Sequence, residues 1–224
     1  MPRQPRITAG GFVYHVLNRA AGRRPLFEYP GDYRGFLKVL AETCRRIPVR
    51  ILAYCVMPTH WHLVAWPTED GQLSEFMFYL TRTHSLRWHG FRGMAGTGHL
   101  YQGRYKNFLV EDDGHMLTLC RYVERNALRA GLVQRAQDWK WGSLRYRGKD
   151  GLRKPGFLAR WPGLLPADWV HYVNQPQSEA EIADLRESVM RSRPYGDSDW
   201  QSMVARKYKL EQSFRKPGRP THSR

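Results

Sequence analysis

The alternation of apolar and polar positions predicts a first β-strand over residues 11–19. Tyr14 and Val16 face one side of this strand, and His15 faces the other. Because its neighbours on that side are apolar, we expect His15 to be a packed or hydrogen-bonded core residue and not a ligand. Apolar residues then recur at three- and four-residue steps over 30–46, which predicts an amphipathic helix.

Two apolar, β-rich runs follow, and the Pro58-Thr59 pair between them is typical of a turn. They cover residues 49–57 and 61–66 and predict a β-hairpin. In a strand, residues i and i+2 point to the same face, so His60 and His62 project together and Trp61 faces the opposite side. Two imidazoles held side by side can supply part of a metal site, although a chain with nine histidines also produces such a pair by chance.

Three further elements complete the pattern of this region, and they are predicted at residues 72–88 (helix), 100–110 (strand) and 112–131 (helix). Asp112 and Asp113 are candidate N-caps of the last helix. His84 and His89, near the end of the preceding one, are expected to be surface or capping groups. The order of elements predicts an α+β fold, a four-stranded, mainly antiparallel sheet of ferredoxin-like type backed by helices.

The composition of the sequence changes after residue 133 and again after residue 177, which divides the chain into three parts. Residues 1–133 hold the predicted sheet. Residues 134–177, rich in Trp, Pro and Gly, are expected to form an extended connector that packs on it. Residues 178–224 form a helical, basic C-terminal extension with predicted helices over 179–191 and 198–210. Its last 22 residues hold seven Lys or Arg against one acid.

The chain is strongly basic, since 36 Lys and Arg against 20 Asp and Glu give a formal charge of +16. A surplus of this size favours a polyanionic partner, because binding releases the counterions condensed on it. Arg outnumbers Lys, and the guanidinium fork suits bidentate contact with phosphate. No long amphipathic basic helix supports binding to a membrane surface. We therefore expect a nucleic acid as the partner.

The three cysteines, Cys44, Cys55 and Cys120, lie far apart within apolar segments. This spacing is typical of small core residues in a reducing compartment, not of a disulfide framework or a zinc site. The sequence also contains no run of 18 apolar residues and no signal-peptide pattern. We therefore expect a cytoplasmic protein.

Four residues, His60, His62, Tyr122 and Asn126, combine into a candidate site. Tyr122 and Asn126 are four residues apart in the third predicted helix, so we expect them on one helix face. Two neutral imidazoles and an amide oxygen can hold a divalent ion and leave positions open for phosphate oxygens. A tyrosine hydroxyl beside them can attack phosphorus and form a covalent phosphotyrosine, which conserves the bond energy for a later strand transfer.

Several motifs now resemble a known family. Pro58-Thr59-His60-Trp61-His62 resembles the His-hydrophobe-His (HUH) motif of single-tyrosine transposases. Further segments resemble the REP-associated tyrosine transposases in particular: Tyr14-His15-Val16 and residues 52–58, 98–106 and 121–133. The resemblance covers residues 5–147 and resumes at the basic Gly-Arg-Pro tail.

This resemblance implies a metal-dependent, single-stranded DNA endonuclease and strand transferase that acts beside REP-like hairpins in a bacterial, nucleoid-associated setting. Tyr122 would be the nucleophile of a 5′-phosphotyrosine intermediate, and His60, His62 and Asn126 would bind Mg²⁺ or Mn²⁺. The family usually has proline after this asparagine, whereas this chain has Ala127, which leaves the chain direction after Asn126 open. The REP-associated group implies a monomer, and insertion-sequence relatives imply a dimer.

Basic residues outside the quartet are candidate contacts to single-stranded or hairpin DNA. They are Arg19, Arg104, Lys106 and Arg129 in the first part of the chain, and Arg215, Lys216 and Arg219 in the tail. The Gly-Arg-Pro core of that tail is typical of segments that lie in the DNA minor groove. The alternating Tyr, Arg and Lys of residues 101–106 also suit a single strand, because aromatic rings stack on bases.

Three alternatives stay open. A nucleotide hydrolase of the His-x-His-x-His type would need a histidine at position 64, where this chain has Val64. A catalytically silent protein on the same fold would bind DNA in a sequence- or hairpin-specific way without cutting it. In the third alternative Tyr122 only packs, and the two histidines only cap a hairpin.

Overall fold

The structure is a computed structural model that describes residues 6–111, 114–148, 152–163 and 165–215. The strands in these ranges are β1 (Val13–Arg19), β2 (Arg50–Met57), β3 (His60–Trp66) and β4 (Lys106–Val110). The α-helices are α1 (Pro30–Arg46), α2 (Gln72–Arg92), α3 (Gly114–Glu124), α4 (Asn126–Arg129), α5 (Trp169–Asn174), α6 (Glu179–Arg191) and α7 (Ser198–Tyr208). Short 3-10 turns lie at Ala21–Arg23, Ala136–Asp138, Ser143–Tyr146 and Glu211–Phe214.

The strands form one antiparallel sheet in the order β2-β3-β1-β4. β3 pairs with β2 through the hairpin and with β1 on its other side, and β4 pairs with β1. β1 and β3 therefore occupy the centre of the sheet, where hydrogen bonds to two neighbours fix their registers. This topology confirms the predicted α+β fold of ferredoxin-like type.

Each face of the sheet is covered by its own helices. On one face, Trp61 packs against Phe36 of α1, with ring centroids 5.5 Å apart. On the other, Val64 lies in a buried cluster with Cys120 of α3 and Trp169 of α5. Burying a large apolar side chain contributes about 1.5–3 kcal/mol, so burial on both sides fixes the register of β3. A slip by one residue would exchange its two faces.

His84 is a buried residue of α2, so its prediction as a surface or capping group is wrong. It is 4% exposed, and its Nδ1 lies 2.6 Å from the hydroxyl oxygen of Tyr101. The Trp61 indole N–H donates to the same oxygen at 3.1 Å. Because an indole can only donate, the Tyr101 hydroxyl oxygen accepts from Trp61, and its own O–H is free to donate to His84. Burial lowers the pKa of His84 to about 3, so the ring is neutral and can accept.

The third predicted helix is interrupted. α3 ends at Glu124, Arg125 is a turn residue, and α4 begins at Asn126. Tyr122 and Asn126 therefore lie in two consecutive helices, so the prediction of one unbroken helix over residues 112–131 is wrong, and their place on a common face stays a prediction.

The first part of the predicted connector packs along the outer edge of β2. The Val56 N–H donates to the Trp141 carbonyl at 2.9 Å, and the Trp139 indole donates to the Val56 carbonyl at 3.0 Å. These bonds cover the edge of a strand that would otherwise expose unpaired backbone groups. The connector also contains α5, a short helix that the hydrophobic pattern does not predict.

The C-terminal helices α6 and α7 begin at the predicted positions. α6 starts with a reciprocal pair of bonds, because the Ser178 hydroxyl accepts from the Glu181 N–H and the Glu181 carboxylate accepts from the Ser178 N–H. None of the helices in the described ranges is long and apolar enough to cross a membrane.

Four residues that the sequence analysis singles out lie outside the described residues: Asp112, Asp113, Lys216 and Arg219. The boundaries proposed for the three parts of the chain, at residues 133 and 177, stay predictions.

Candidate active site

The central strand β3 presents His60 and His62 on one face of the sheet. Their ring centroids lie 5.0 Å apart, and Trp61 between them is fully buried in the opposite layer. Across the hairpin, His60 pairs with Met57 and His62 pairs with Cys55. Backbone bonds on both sides of β3 therefore hold the two imidazoles in the arrangement that the sequence predicts.

His15 of β1 lies beside His62 and shares a hydrogen bond with it. The Nε2 atom of His15 is 2.8 Å from Nδ1 of His62, and the rings stack at 5.0 Å. Burial, followed by the charge of Arg129, lowers the pKa of His15 to about 3. Burial is also the main cause that lowers the pKa of His62 well below its usual value. Both rings are therefore neutral, and one donates while the other accepts.

His60 lies nearer the rim of the site and is partly exposed. Its Nδ1 is 3.0 Å from the Thr59 hydroxyl oxygen. Burial, then Arg129 and Arg19, lowers the pKa of His60 to about 4. The Nδ1 atoms of His60 and His62 thus both face protein partners, which leaves Nε2 of each ring as the atom that can meet a ligand.

Tyr122 reaches the imidazoles from α3. Its ring centroid lies edge-on to the two buried imidazoles, 6.2 Å from His62 and 6.3 Å from His15. The side chain is largely buried, and Arg129 of α4 lies over the ring face, with its guanidinium carbon 3.9 Å from the centroid. The structure therefore brings together the predicted tyrosine, both predicted imidazoles and one predicted cation.

A local contact at Ala127 accompanies the break between α3 and α4. The Ala127 N–H donates to the sulfur of Cys55 and opposes the burial that raises the pKa of this thiol to about 12. Because Cys55 pairs with His62 across the hairpin, the contact places the start of α4 beside the imidazoles. An N–H in the first turn of a helix has no intrahelical partner, so proline is tolerated there as well. Alanine at this position is compatible with the same helix start.

Glu124, which the sequence analysis missed, ties the end of α3 to the connector. Its buried carboxylate accepts hydrogen bonds from the Ser143 hydroxyl at 2.5 Å, the Arg147 guanidinium at 2.6 Å and the Trp169 indole at 2.7 Å. One signal could have revealed it, because Glu124 follows Cys120 by four residues on the apolar stripe of the helix. A charge on a buried stripe needs partners.

Two arginines on either side of Tyr122 add to this attachment. Arg121 donates to the carbonyls of Gln175 and Pro176 at 3.0 and 2.9 Å. Arg125 donates to the carbonyls of Val173 and Asn174 at the end of α5. The carbonyls of Val173 and Asn174 end a helix and lack intrahelical donors. The Arg125 guanidinium supplies these donors and thereby attaches the segment around Tyr122 to α5.

Three buried polar atoms near Tyr122 have no hydrogen-bond partner within the described parts of the chain: Nδ1 of His15, Nδ2 of Asn126 and Nη1 of Arg129. Such atoms are rare in folded proteins and call for a ligand, an ion or water. Among the described residues, no group of three or more His, Cys, Asp or Glu side chains could hold a metal. A metal held by His60 and His62 would therefore need a third donor of another type, and the amide oxygen of Asn126 stays the predicted one.

The predicted DNA-contact residues fall into separate places. Arg19 pairs with His60 across the sheet, and Lys106 lies near Arg19, whose charge adds to burial in lowering the pKa of Lys106. Arg104 is exposed just before β4. Arg215 is also exposed, and its carbonyl accepts a hydrogen bond from the end of α6. The structure thus groups Arg19 with the imidazoles and shows no such grouping for Arg215.

Comparison with known proteins gives consistent matches. Residues 9–126 match the family model described as "Transposase IS200 like". A protein of Haemophilus influenzae named "Putative REP-associated tyrosine transposase" is 25% identical over 146 residues, which cover 61% of this chain and 81% of that protein. A solved structure of a REP-associated tyrosine transposase bound to a REP hairpin has a TM-score of 0.57 at 18% identity, covering 75% of this chain and 96% of the other. The last match shows a shared fold.

Proposed function

This chain belongs to the family of IS200-like transposases, whose model spans more than half of it, and we propose that it cuts and rejoins single-stranded DNA at hairpins through a covalent 5′-phosphotyrosine. The observation that supports this most directly is the packing of Tyr122 between neutral imidazoles and the Arg129 guanidinium. A tyrosine that served packing alone would not need a buried cation with an unpartnered N–H on its ring face.

Tyr122 is the nucleophile in this proposal. Its hydroxyl oxygen, as it loses its proton, forms a bond to phosphorus while the bond from phosphorus to the 3′ oxygen breaks. The 3′ oxygen leaves and takes up a proton as a free hydroxyl. Attack by a 3′-hydroxyl on the phosphotyrosine reverses the step, so the same chemistry supports cutting and strand transfer. Arg129, beside the tyrosine, offsets the negative charge that develops at the phosphate.

His60, His62 and Asn126 would hold Mg²⁺ or Mn²⁺. Such an ion, when bound, polarises the scissile phosphate and stabilises charge in the transition state. For His62 to bind through Nε2, its Nδ1 must carry the proton and donate to His15. The same argument gives His60 a proton on Nδ1, donated to the Thr59 hydroxyl. His15 then positions His62 without touching the reacting atoms.

The cations around the imidazoles favour the binding of DNA phosphates at the site. Arg19 and Arg129 are the charged side chains that act on the pKa of His60, so the donors for a metal are neutral and their surroundings positive. This disfavours a bare divalent ion and favours a phosphate, and we therefore expect the ion and the DNA to bind together.

The rest of the chain supports this unit in the proposal. Residues 1–133 form the catalytic domain, residues 134–177 fix its Tyr122 segment, and residues 178–224 form the basic extension that contacts DNA. Arg104, Lys106, Arg215, Lys216 and Arg219 would contact phosphates or bases. The relatives support hairpin DNA as substrate, because one of them is bound to a REP hairpin.

A denaturing gel tests the proposal. The full chain is incubated with Mn²⁺ and a labelled hairpin oligonucleotide that carries single-stranded flanks. We expect a covalent protein–DNA adduct that disappears with Tyr122→Phe and with EDTA and that falls strongly with His62→Ala. Tyr79→Phe, at a partly exposed tyrosine of α2, is the matched control and should leave the adduct unchanged.

Two outcomes would contradict the proposal in different ways. An adduct that survives Tyr122→Phe would remove the nucleophile assignment. Tight hairpin binding without any adduct would favour the catalytically silent DNA-binding protein.

A further inference from the structure

Two neighbouring cavities join into one groove along the β4 side of the sheet. The first has a volume of about 570 Å³ and lies against the end of β1 and the start of β4, and the second, about 520 Å³, lies between α2 and the loop before β4. They share lining residues, among them Arg6, Asn18, Arg104 and Tyr105. We call this joined cavity the basic groove.

Within the described ranges, the charged side chains that line the basic groove are all cationic. The lining contains Arg6, Arg19, Arg82, Arg104 and Lys106, and none of the described residues that line either cavity is an Asp or a Glu. A cavity at the start of α2 shows the contrast, because its lining includes three acids, Glu69, Asp70 and Glu75, beside one cation, Arg46. Charge of one sign along a channel attracts a polyanion and tracks its backbone.

The far end of the groove presents an exposed aromatic ring. Phe78 of α2 is 65% exposed, and the Arg82 guanidinium lies 6.0 Å from its centroid. A large apolar ring in water beside a cation is typical of a platform on which a nucleic-acid base stacks. The groove floor beneath is rigid, because Tyr101 is fixed by its bonds to Trp61 and His84.

The near end of the groove meets the candidate active site. Arg19 lines the first cavity, pairs with His60 across the sheet and acts on the pKa of that imidazole. Lys106 lines the same cavity. A strand that ran from the Tyr122 site into this end of the groove would pass these two cations.

We propose that the basic groove binds the single-stranded flank of the DNA substrate and that one base of this flank stacks on Phe78. Double-stranded DNA is a poor occupant, because its bases are already stacked on each other and do not present a free face to a side chain. This inference rests on the proposed function and assigns the path of the strand beyond the site of cutting.

The test compares two labelled hairpins in EDTA, one with a single-stranded flank and one without it, by fluorescence anisotropy. Phe78→Ala should weaken binding of the flanked hairpin about tenfold, since stacking of one base is commonly worth that much, and should leave the plain hairpin unchanged. Phe78→Trp should retain the affinity. The matched control is Phe91→Ala, at a ring of the same helix that is 85% exposed and outside both cavity linings.

A second readout locates the stacked base. 2-Aminopurine is placed at successive flank positions, and its fluorescence should be quenched at one of them by the wild type and by Phe78→Trp but not by Phe78→Ala. An equal loss for both hairpins, or no loss with Phe78→Ala, would overturn the inference. These binding measurements are made in EDTA, where no cutting occurs, so they are independent of the adduct assay. A missing adduct would therefore reject the proposed chemistry but not the proposed binding of DNA in the groove.

Discussion

The two halves of the candidate site are held in opposite ways. His60 and His62 lie on a central strand, where backbone hydrogen bonds to β1 and β2 fix them. Tyr122 lies near the end of a helix that its side chains hold in place, through apolar packing on the sheet and through the Glu124 carboxylate with its three donors in the connector. One half is therefore built into the sheet, and the other is attached to it.

The difference teaches that sequence change should affect the two halves unequally. Substitutions in the connector should loosen Tyr122 and leave the imidazoles in place, because no backbone bond of β3 depends on Glu124. Substitutions beside β3 should instead change how the imidazoles meet a metal and leave the helix attached.

The largest expected effect comes from Glu124→Gln. The substitution keeps the shape but leaves the buried guanidinium of Arg147 without a counter-charge, and removing one partner of a buried pair typically costs about 3–5 kcal/mol. We expect a loss of that size in the free energy of unfolding, measured in urea, together with a weaker Tyr122 adduct.

Glu187→Gln is the matched control for this change. Glu187 pairs with Arg191 and Arg193 at the surface, where such pairs contribute less than about 1 kcal/mol. Equal losses for the two variants would show that the connector does not hold Tyr122 in the way described.

The next effect concerns the imidazole half. His15→Phe keeps a ring of similar size but removes the acceptor for His62, and loss of such a supporting bond typically weakens metal binding about 10–100-fold. His15→Gln can still accept through its side-chain oxygen and should recover part of the affinity. Calorimetric titration of Mn²⁺ into the protein bound to an uncleavable hairpin measures both.

A nitrogen-15 spectrum of the histidine rings separates positioning from folding. The wild type should show His62 with its proton on Nδ1, and His15→Phe should lose that preference while the fold persists. Retained Mn²⁺ affinity in His15→Phe would remove the positioning role.

The smallest effect is expected for Ala127→Pro. The substitution removes the N–H that bonds to Cys55, which costs about 0.5–1.5 kcal/mol, and it restricts the unfolded chain, which stabilises by about 0.4–1 kcal/mol. The free energy of unfolding should change by less than about 1 kcal/mol, and the adduct should persist. A loss of several kcal/mol in the free energy of unfolding would mean that the backbone at the start of α4 cannot accommodate proline.

The sheet and its faces could be predicted because they depend on local alternation. The faces of β1 and β3 and the start of α6 follow from neighbours within a few residues along the chain, and the structure confirms them. The separation of Trp61 from the two imidazoles is of the same kind, since period two alone determines it.

The missed features all depend on partners distant in sequence. The buried His84 ring shares a hydrogen bond with the Tyr101 hydroxyl, which also accepts from the Trp61 indole. Both partners are distant from His84 in the sequence. The helix breaks just after Glu124, whose carboxylate bonds to residues 143, 147 and 169. These partners lie 19 or more residues along the chain, so the periodicity of the helix gives no sign of them. The hydrogen bond between His15 and His62 likewise joins two strands 47 residues apart.

The contacts of Glu124 also have a consequence for synthesis of the chain. The imidazole strand and the tyrosine leave the ribosome well before Trp169, the last of the three donors to the Glu124 carboxylate. A nascent chain that has reached only residue 133 holds the whole quartet, yet its tyrosine has not been locked in place. If Tyr122 acts as proposed, the order of residues along the chain would delay competence for cutting DNA until Trp169 has left the ribosome.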